Sequence, residues 1–190
     1  MLPGQSQKLP CSGEAPFQSF ACTCLLNSAN VNDVVFANMG TYRGFTTDGS
    51  EYQKSYFVSR WFGENWTGAR SFCSSFNLQL VSLQTLQEAL AFLYLADTHP
   101  YFKKYTACSM FYIDGMTSIM KSTTEWYWAD SGNKISYPMP WLSGQPDNAN
   151  GDERCLAFRR NTPTQNYRFV DNTCSGGPHF VCQRIDFFIA

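Results

Sequence analysis

The sequence predicts an α+β protein in which two helices precede a loop-rich antiparallel sheet. Apolar residues recur at helical spacing in two segments between residues 65 and 98, whereas short apolar runs and long polar loops follow residue 105. Eight cysteines in 190 residues indicate disulfide bonds, which are common in secreted proteins and rare in the cytosol. We therefore expect one disulfide-bonded domain with an N-terminal appendage.

Composition limits the classes of partner. The formal net charge is −1, which gives no reason to expect nucleic acid or an anionic membrane surface as a partner. No apolar run approaches the roughly 20 residues that span a bilayer, and residues 1–10 lack the apolar core of a signal peptide. Together with the cysteines, these features predict an extracellular protein, either secreted or an ectodomain, without its leader.

Neither zinc binding nor catalysis is expected. The closest cysteines, Cys22 and Cys24, have one residue between them, and the two histidines, His99 and His179, stand alone. A structural zinc site needs ligand pairs at a wider, characteristic spacing. The sequence also has no nucleophile motif and no metal-hydrolase spacing, so it offers nothing from which to build a catalytic site.

A change in composition near residue 50 predicts a domain boundary. Residues 1–50 are rich in Gly, Ser, Asn and Thr, contain three cysteines and show no long helical period. This pattern is typical of an extension made of loops and short strands. Residues 51–190 are predicted to form the main domain, which begins with a strand over residues 52–58.

Two helices are predicted after this strand. The first covers residues 65–73, where apolar side chains recur at helical spacing. The second begins at a capping-box pattern formed by Thr85 and Glu88 and ends near Asp97 and His99. Its apolar face is predicted to consist of Leu86, Leu90, Leu93 and Tyr94. Short strands are then predicted at residues 110–113, 126–128, 156–158, 167–170 and 180–183.

The loop at residues 145–155 carries the clearest chemical signal. It places three oxygen-bearing side chains, those of Gln145, Asp147 and Glu153, around a proline in a loop that ends at a cysteine. Calcium takes about six to eight oxygen ligands and prefers carboxylates and amides. Asp171 is the candidate for a fourth ligand. The alternative is that these polar residues form an ordinary solvated surface loop.

Several segments agree in order and spacing with one known family. They are the helix start Asn65–Cys73, the link Leu80–Leu83, the strand Phe111–Gly115, the approach to the long loop at Trp126–Asp130 and Trp141–Asp147, and the cysteines Cys155, Cys174 and Cys182. Through them, residues 52–184 resemble the C-type lectin-like domain, in its long and invertebrate-like form. Tyr112 stands where that family usually has tryptophan. The resemblance implies the α+β fold of the family, with two helices, antiparallel sheets and a long loop region.

The resemblance also implies two disulfides, Cys73–Cys182 and Cys155–Cys174. Four cysteines remain, which permit three pairings that the sequence cannot choose among: Cys11, Cys22, Cys24 and Cys108. Long-form members have an N-terminal hairpin disulfide, which suggests Cys11 with either Cys22 or Cys24. Cys108 would then join the extension to the main domain or be free for intermolecular pairing.

In this family a calcium ion held by such a loop binds two vicinal sugar hydroxyls, and Gln-Pro-Asp goes with galactose-type ligands. The resemblance therefore implies carbohydrate binding through the four calcium ligands Gln145, Asp147, Glu153 and Asp171. The chain departs from the family at Val170, where sugar-binding members usually have an asparagine ligand. Residues 148–152 include no aromatic side chain to stack on the sugar, so that role, if filled, falls to Tyr167 or Phe169. A second calcium position known in some members is not expected, because Asn148 and Arg154 occupy places that need acids.

Two surface features have modest interpretations. Asn65-Trp66-Thr67 is an N-glycosylation sequon, although Asn65 could also cap the helix, and the two roles are compatible. Lys103-Lys104, Arg159-Arg160 and Arg168 could contact acidic glycans, but such pairs are more often ordinary solvated surface.

Two functions follow as hypotheses. The first is a calcium-dependent lectin whose partners are glycans or glycoproteins. The second is a calcium-independent extracellular adhesion or matrix protein that uses the same fold for protein contacts, because fold does not determine function. Whether ligand binding survives EDTA separates them. Either protein could be an oligomer, which would raise a weak affinity through avidity.

Overall fold

The computed structural model of the chain describes residues 35–60, 63–104, 109–117 and 125–188. The strands of these segments are β1 (Phe36–Phe45), β2 (Glu51–Ser59), β3 (Gln79–Leu80), β4 (Phe111–Thr117), β5 (Trp126–Trp128), β6 (Glu153–Arg159), β7 (Arg168–Thr173) and β8 (His179–Phe187). The helices are α1 (Trp66–Ser75), α2 (Leu86–Thr98) and α3 (Pro100–Lys103), with a 3₁₀ turn at Ala149–Gly151. The predicted α+β class is confirmed.

The strands form one sheet in the order β1-β2-β8-β4-β6-β7, with β3 paired to β8 and β5 paired to β4. The pairs are antiparallel except for β4 with β8. Cys73–Cys182 joins α1 to β8, and Cys155–Cys174 joins β6 to the end of β7, so both implied disulfides are confirmed. The other four cysteines lie outside the described residues, and their pairing stays a prediction. No described helix is long and apolar enough to cross a membrane.

Strand β1 pairs with β2 along its whole length. Phe36 and Met39 of β1 are both buried, at 2% exposure, and the Phe36 ring packs edge-on against Phe72 of α1. The boundary predicted at residue 50 therefore falls in the turn of a β-hairpin, and residues 36–45 belong to the sheet. Composition did not indicate this because the Asn, Gly and Thr residues of β1 resemble those of a loop.

Helix α1 forms as its sequence predicts. The side chain of Asn65 accepts a hydrogen bond from the Gly68 N–H at 2.7 Å and caps the N-terminus. Trp66 is buried, and its indole Nε1 donates to the Ile113 carbonyl at 2.9 Å. This bond fixes α1 against β4, next to the disulfide that joins α1 to β8.

The apolar face predicted for α2 is wrong in three of its four residues. Leu93 is buried, but Leu90 is 48% exposed, Tyr94 is 66% exposed and Leu86 is only half-buried. The residues packed inside are Glu88, Ala89, Phe92, Leu93 and Ala96. This helix is apolar around most of its surface, so periodicity alone does not identify the face that packs inward.

Glu88 lies inside because it pairs with Lys54 of β2. The two side chains are 0% and 2% exposed, and the Lys54 Nζ lies 2.7 Å from the Glu88 Oε1. That carboxylate also accepts hydrogen bonds from the Tyr56 hydroxyl at 3.0 Å and the Gln84 N–H at 2.8 Å. The capping box is therefore half formed, since Thr85 accepts the Glu88 N–H at 3.1 Å while the carboxylate points into the core.

A second buried carboxylate, Asp114 on β4, has a perturbed pKa. It is 1% exposed, accepts the Asp130 N–H at 2.7 Å and lies 2.9 Å from the Nε of Arg70. Burial raises the pKa of Asp114 to about 7, against the lowering effect of the Asp130 N–H. Because an unfolded aspartate titrates near pH 4, the folded protein binds the extra proton between about pH 4 and pH 7.

This burial predicts that the protein loses stability as pH rises through that window. In the Asp114→Asn variant the side-chain oxygen can still accept the Asp130 N–H, but the titration is gone. The quantity to compare is the unfolding free energy of wild type minus that of the variant. We expect this difference to fall by about 1–4 kcal/mol as the pH rises from 4 to 7. Urea unfolding of both proteins in calcium-free buffer measures the difference. A difference that stays constant with pH would contradict the raised pKa.

Candidate calcium-binding site

The loop before β6 and the strand β7 bring three predicted ligands together. Asp147, Glu153 and Asp171 each place a carboxylate oxygen within 4.8 Å of the others. Asp147 is exposed, Glu153 is half-buried and Asp171 is buried at 4% exposure. Three carboxylates at this separation repel one another unless a cation lies between them.

Asp171 organises the loop through backbone hydrogen bonds. Its two carboxylate oxygens accept the N–H groups of Asp147 at 3.1 Å and Asn148 at 2.7 Å. Glu153 accepts the Ala149 N–H at 3.0 Å, and its own N–H donates to the Asn148 side chain at 3.1 Å. Each carboxylate oxygen has a further lone pair, so these bonds orient the carboxylates and leave them able to bind a cation.

The residues between these ligands explain the sharp return of the chain. Asn148 and Asn150 have φ angles of 45° and 57°, and Gly151 has a φ of 74°. Asparagine and glycine enter this left-handed region more readily than other residues. The Asn-Ala-Asn-Gly sequence therefore suits the short turn that carries the chain from Asp147 back to Glu153. This role of Asn148 was not predicted, because in the sequence the residue is notable only for standing where a second calcium position needs an acid.

Gln145 supplies an oxygen with an unmet hydrogen-bonding need. Its Oε1 is buried and accepts no hydrogen bond from the described part of the chain. Its backbone N–H donates to the Leu142 carbonyl at 2.9 Å, and the bond to Pro146 is cis. A buried acceptor without a donor costs about 1–3 kcal/mol, and coordination of a cation would offset that cost.

The pKa of Glu153 is raised in this cluster. Burial raises its pKa most, the Ala149 N–H lowers it, and the negative charges of Asp171 and Asp147 raise it further. A divalent cation would reverse the repulsion between these groups. The three carboxylates form a hard-oxygen donor set, which fits calcium, and the buried amide oxygen of Gln145 belongs to a residue two positions before Asp147.

Asp171 is the one acidic residue of β7 in this cluster. Val170 is 1% exposed and packs in an apolar cluster with Leu142 and Phe180. Asn172 is 6% exposed and hydrogen-bonds the Tyr112 hydroxyl, so it does not replace the asparagine that the family has at position 170.

The prediction that Tyr167 or Phe169 stacks on a sugar is wrong. Both are 0% exposed. The Tyr167 ring packs edge-on against Phe102 and Phe158, and Phe169 pairs with Phe158 across the sheet. Side chains alternate along a strand, and the alternation of Tyr167 and Phe169 with Arg168 is the signal that identifies these two aromatic rings as core residues.

Comparison with known proteins identifies the family. A sequence model of the Lectin C-type domain matches residues 63–184. Salivary C-type lectin 1 of Aedes albopictus is 30% identical over 122 residues, which cover 64% of this chain and 76% of that protein. Perlucin of Haliotis laevigata is 39% identical over 59 residues, which cover 31% of this chain and 36% of perlucin.

The fold agrees with these sequence matches. The C-type lectin domain of murine dendritic cell inhibitory receptor 2, solved in complex with an N-glycan, superposes with a TM-score of 0.54 at 18% identity. The superposition covers 70% of this chain and 91% of that domain. Since the family model also matches most of the chain, the protein belongs to the C-type lectin domain family.

Proposed function

We propose that this protein is a secreted lectin that binds galactose-type glycans through a calcium ion. The calcium ligands would be Gln145, Asp147, Glu153 and Asp171. The observation that carries the proposal is the convergence of three carboxylate oxygens within 4.8 Å in a domain of the C-type lectin family. The glycan in the complex of the murine receptor domain supports this class of ligand.

Bound calcium would supply open coordination positions for sugar hydroxyl oxygens. The side chains of the loop would select the sugar by their hydrogen bonds. The Gln145 amide can donate, whereas the carboxylates of Asp147 and Glu153 can only accept. This order of amide and acid determines which hydroxyl arrangement is bound, and Gln-Pro-Asp supports a galactose-type diol. Exposure of Asp147 leaves the cluster open to solvent on that side.

The absence of a ligand at Val170 predicts a weak site. Extracellular calcium modules bind with dissociation constants of about 10⁻⁴–10⁻³ M, and we place this site in that range. Asn65 is exposed while its side chain caps α1, so we also propose that its sequon carries an N-linked glycan.

Calcium is expected to raise the melting temperature. A ligand at a hundred times its dissociation constant adds about 2.7 kcal/mol to the unfolding free energy, which corresponds to about 5–10 °C for a chain of this size. Calorimetry with calcium, magnesium or EDTA measures the effect. An equal response to magnesium, or none to calcium, would contradict the proposed site.

The second candidate function is calcium-independent adhesion through protein contacts. Two observations favour it: Val170 offers no ligand to a cation, and the buried rings of Tyr167 and Phe169 cannot stack on a sugar. Immobilised galactose separates the two functions. Retention in calcium, with elution by galactose or EDTA and not by mannose, is expected of the galactose-type lectin. If calcium raised the melting temperature but the protein did not bind galactose, the proposed metal site would stand and the proposed sugar specificity would be wrong.

A further inference from the structure

A positively charged surface lies at the far end of β6 and β7 from the acidic loop. Arg159, the last residue of β6, is directly opposite Arg168, the first residue of β7. Glu153 begins the same seven-residue strand β6, so about 20 Å of extended chain separates the two ends. This arginine pair is thus distinct from the proposed calcium site.

Two arginines in this position repel each other. Residues directly opposite on antiparallel strands share one face of the sheet, and like charges there are destabilising. Neither Arg159 nor Arg168 forms an ion pair with a carboxylate in the described segments. Arg168 donates to the Tyr167 carbonyl at 2.7 Å, whereas the Nε of Arg159 is buried without an acceptor among the described residues. An anion bound by the two guanidinium groups would relieve the repulsion between them.

Two exposed lysines lie on a segment that contacts the chain just after β6. Arg160, the residue that follows β6, is buried at 8% exposure and donates to the Phe102 carbonyl at 3.3 Å, and the exposed Lys103 and Lys104 follow Phe102. One carboxylate faces the group from α2, that of Asp97. Its oxygen accepts the N–H of residue 167 at 2.7 Å, and its pKa is lowered by the charges of Arg168 and Arg160 and raised more strongly by burial. The balance of charge here is positive.

We propose that Arg159 and Arg168 bind sulfate groups of an acidic polysaccharide, without calcium. A guanidinium group presents paired N–H donors that match the oxygens of an oxyanion. The flanking cations suit a ligand that carries several charges along its length. A net charge of −1 for the whole chain gives no general attraction to nucleic acid, so recognition depends on this local arrangement.

Heparin, a sulfated polysaccharide, is the probe. Its affinity is measured by titration in EDTA at about 0.05 M salt, where screening is modest. The test variant is Arg159→Gln/Arg168→Gln. The matched control is Arg43→Gln/Arg184→Gln, which removes the same charge from two exposed arginines paired with Glu51 and Asp186. We expect the test variant to bind heparin at least about tenfold more weakly than wild type, and the control variant to bind nearly as tightly as wild type. The melting temperature of the test variant should be no lower than that of wild type.

Other outcomes would overturn the proposal. If heparin affinity fell equally in both variants, binding would depend on net charge and not on this arginine pair. If wild type did not bind heparin detectably, the proposed site would be disproved. Single-stranded DNA that binds as tightly as heparin would overturn the assignment to polysaccharide. Should the glutamine variant unfold, Arg159→Lys/Arg168→Lys keeps the charge but loses the paired donors, and it must still bind heparin more weakly than Arg43→Lys/Arg184→Lys. Because all measurements use EDTA, their failure leaves the calcium proposal untouched.

Discussion

Replacement of Lys54 by methionine is expected to lower the free energy of unfolding by about 3–5 kcal/mol. The side chain of Glu88 is 0% exposed, and its ion pair with Lys54 spans 2.7 Å, so the variant would leave a buried carboxylate without its counter-charge. Burial lowers the pKa of Lys54, and the charge of Glu88 opposes this effect. Urea unfolding of the purified variant measures the loss.

Two controls separate the buried charge from other causes. Lys54→Met/Glu88→Gln removes both charges; the Gln oxygen can accept the Gln84 N–H, and its NH₂ group can donate to the Tyr56 hydroxyl oxygen. It should recover part of the lost stability, since the Ser82 carbonyl still loses the Lys54 donor at 2.7 Å. Arg184→Met breaks a pair whose side chains are 55% and 41% exposed, and it should cost less than about 1 kcal/mol. If Lys54→Met proved no more harmful than Arg184→Met, the assignment of a stability-determining buried pair would fail.

The second large effect is expected at Asp171. Asp171→Ala removes a proposed calcium ligand and also the acceptor for the N–H groups of Asp147 and Asn148. The calcium-dependent rise in melting temperature should disappear, and the unfolding free energy in EDTA should fall by about 1.5–3 kcal/mol for each charged hydrogen bond that water does not replace. Calorimetry with and without calcium measures both changes.

Asp147→Asn separates these two roles. Asp147 is exposed and its backbone N–H remains in the variant, so the stability in EDTA should stay near that of wild type while the response to calcium is lost. Asp186→Asn on β8 is the matched control, since it removes an exposed acid away from the loop. Retention of the full calcium response by Asp171→Ala would show that the ion is held elsewhere.

Features encoded by residues close together in sequence could be predicted. The cap at Asn65 and the helix after it depend on a few neighbouring side chains, and the oxygen-bearing side chains of the Gln-Pro-Asp loop can be read directly from the sequence. The two disulfides were implied by the family resemblance, which the structure and the sequence matches support. Family membership also confirms that the protein is a binding protein and not an enzyme.

Features that depend on distant partners could not be predicted. The orientation of α2 follows from Glu88, whose partner Lys54 lies on β2, and no local pattern indicates that pairing. The same limit applies to aromatic residues near the loop. Tyr167 has the chemical character of a sugar-stacking residue, yet the pleat of β7 and its neighbouring loop directs it into the core.

The hairpin formed by β1 and β2 has a practical consequence for solubility. A shortened chain that starts at Glu51 would keep every proposed calcium ligand, yet it would turn β2 from an inner strand into an open edge. Phe72 would also lose the cover of Phe36. Unpaired strand edges next to bare aromatic surface promote association between molecules. A fragment limited to the family match, residues 63–184, would lose β2 as well as β1 and expose the edge of β8 that pairs with β2, so it would aggregate unless the whole β1–β2 hairpin were retained.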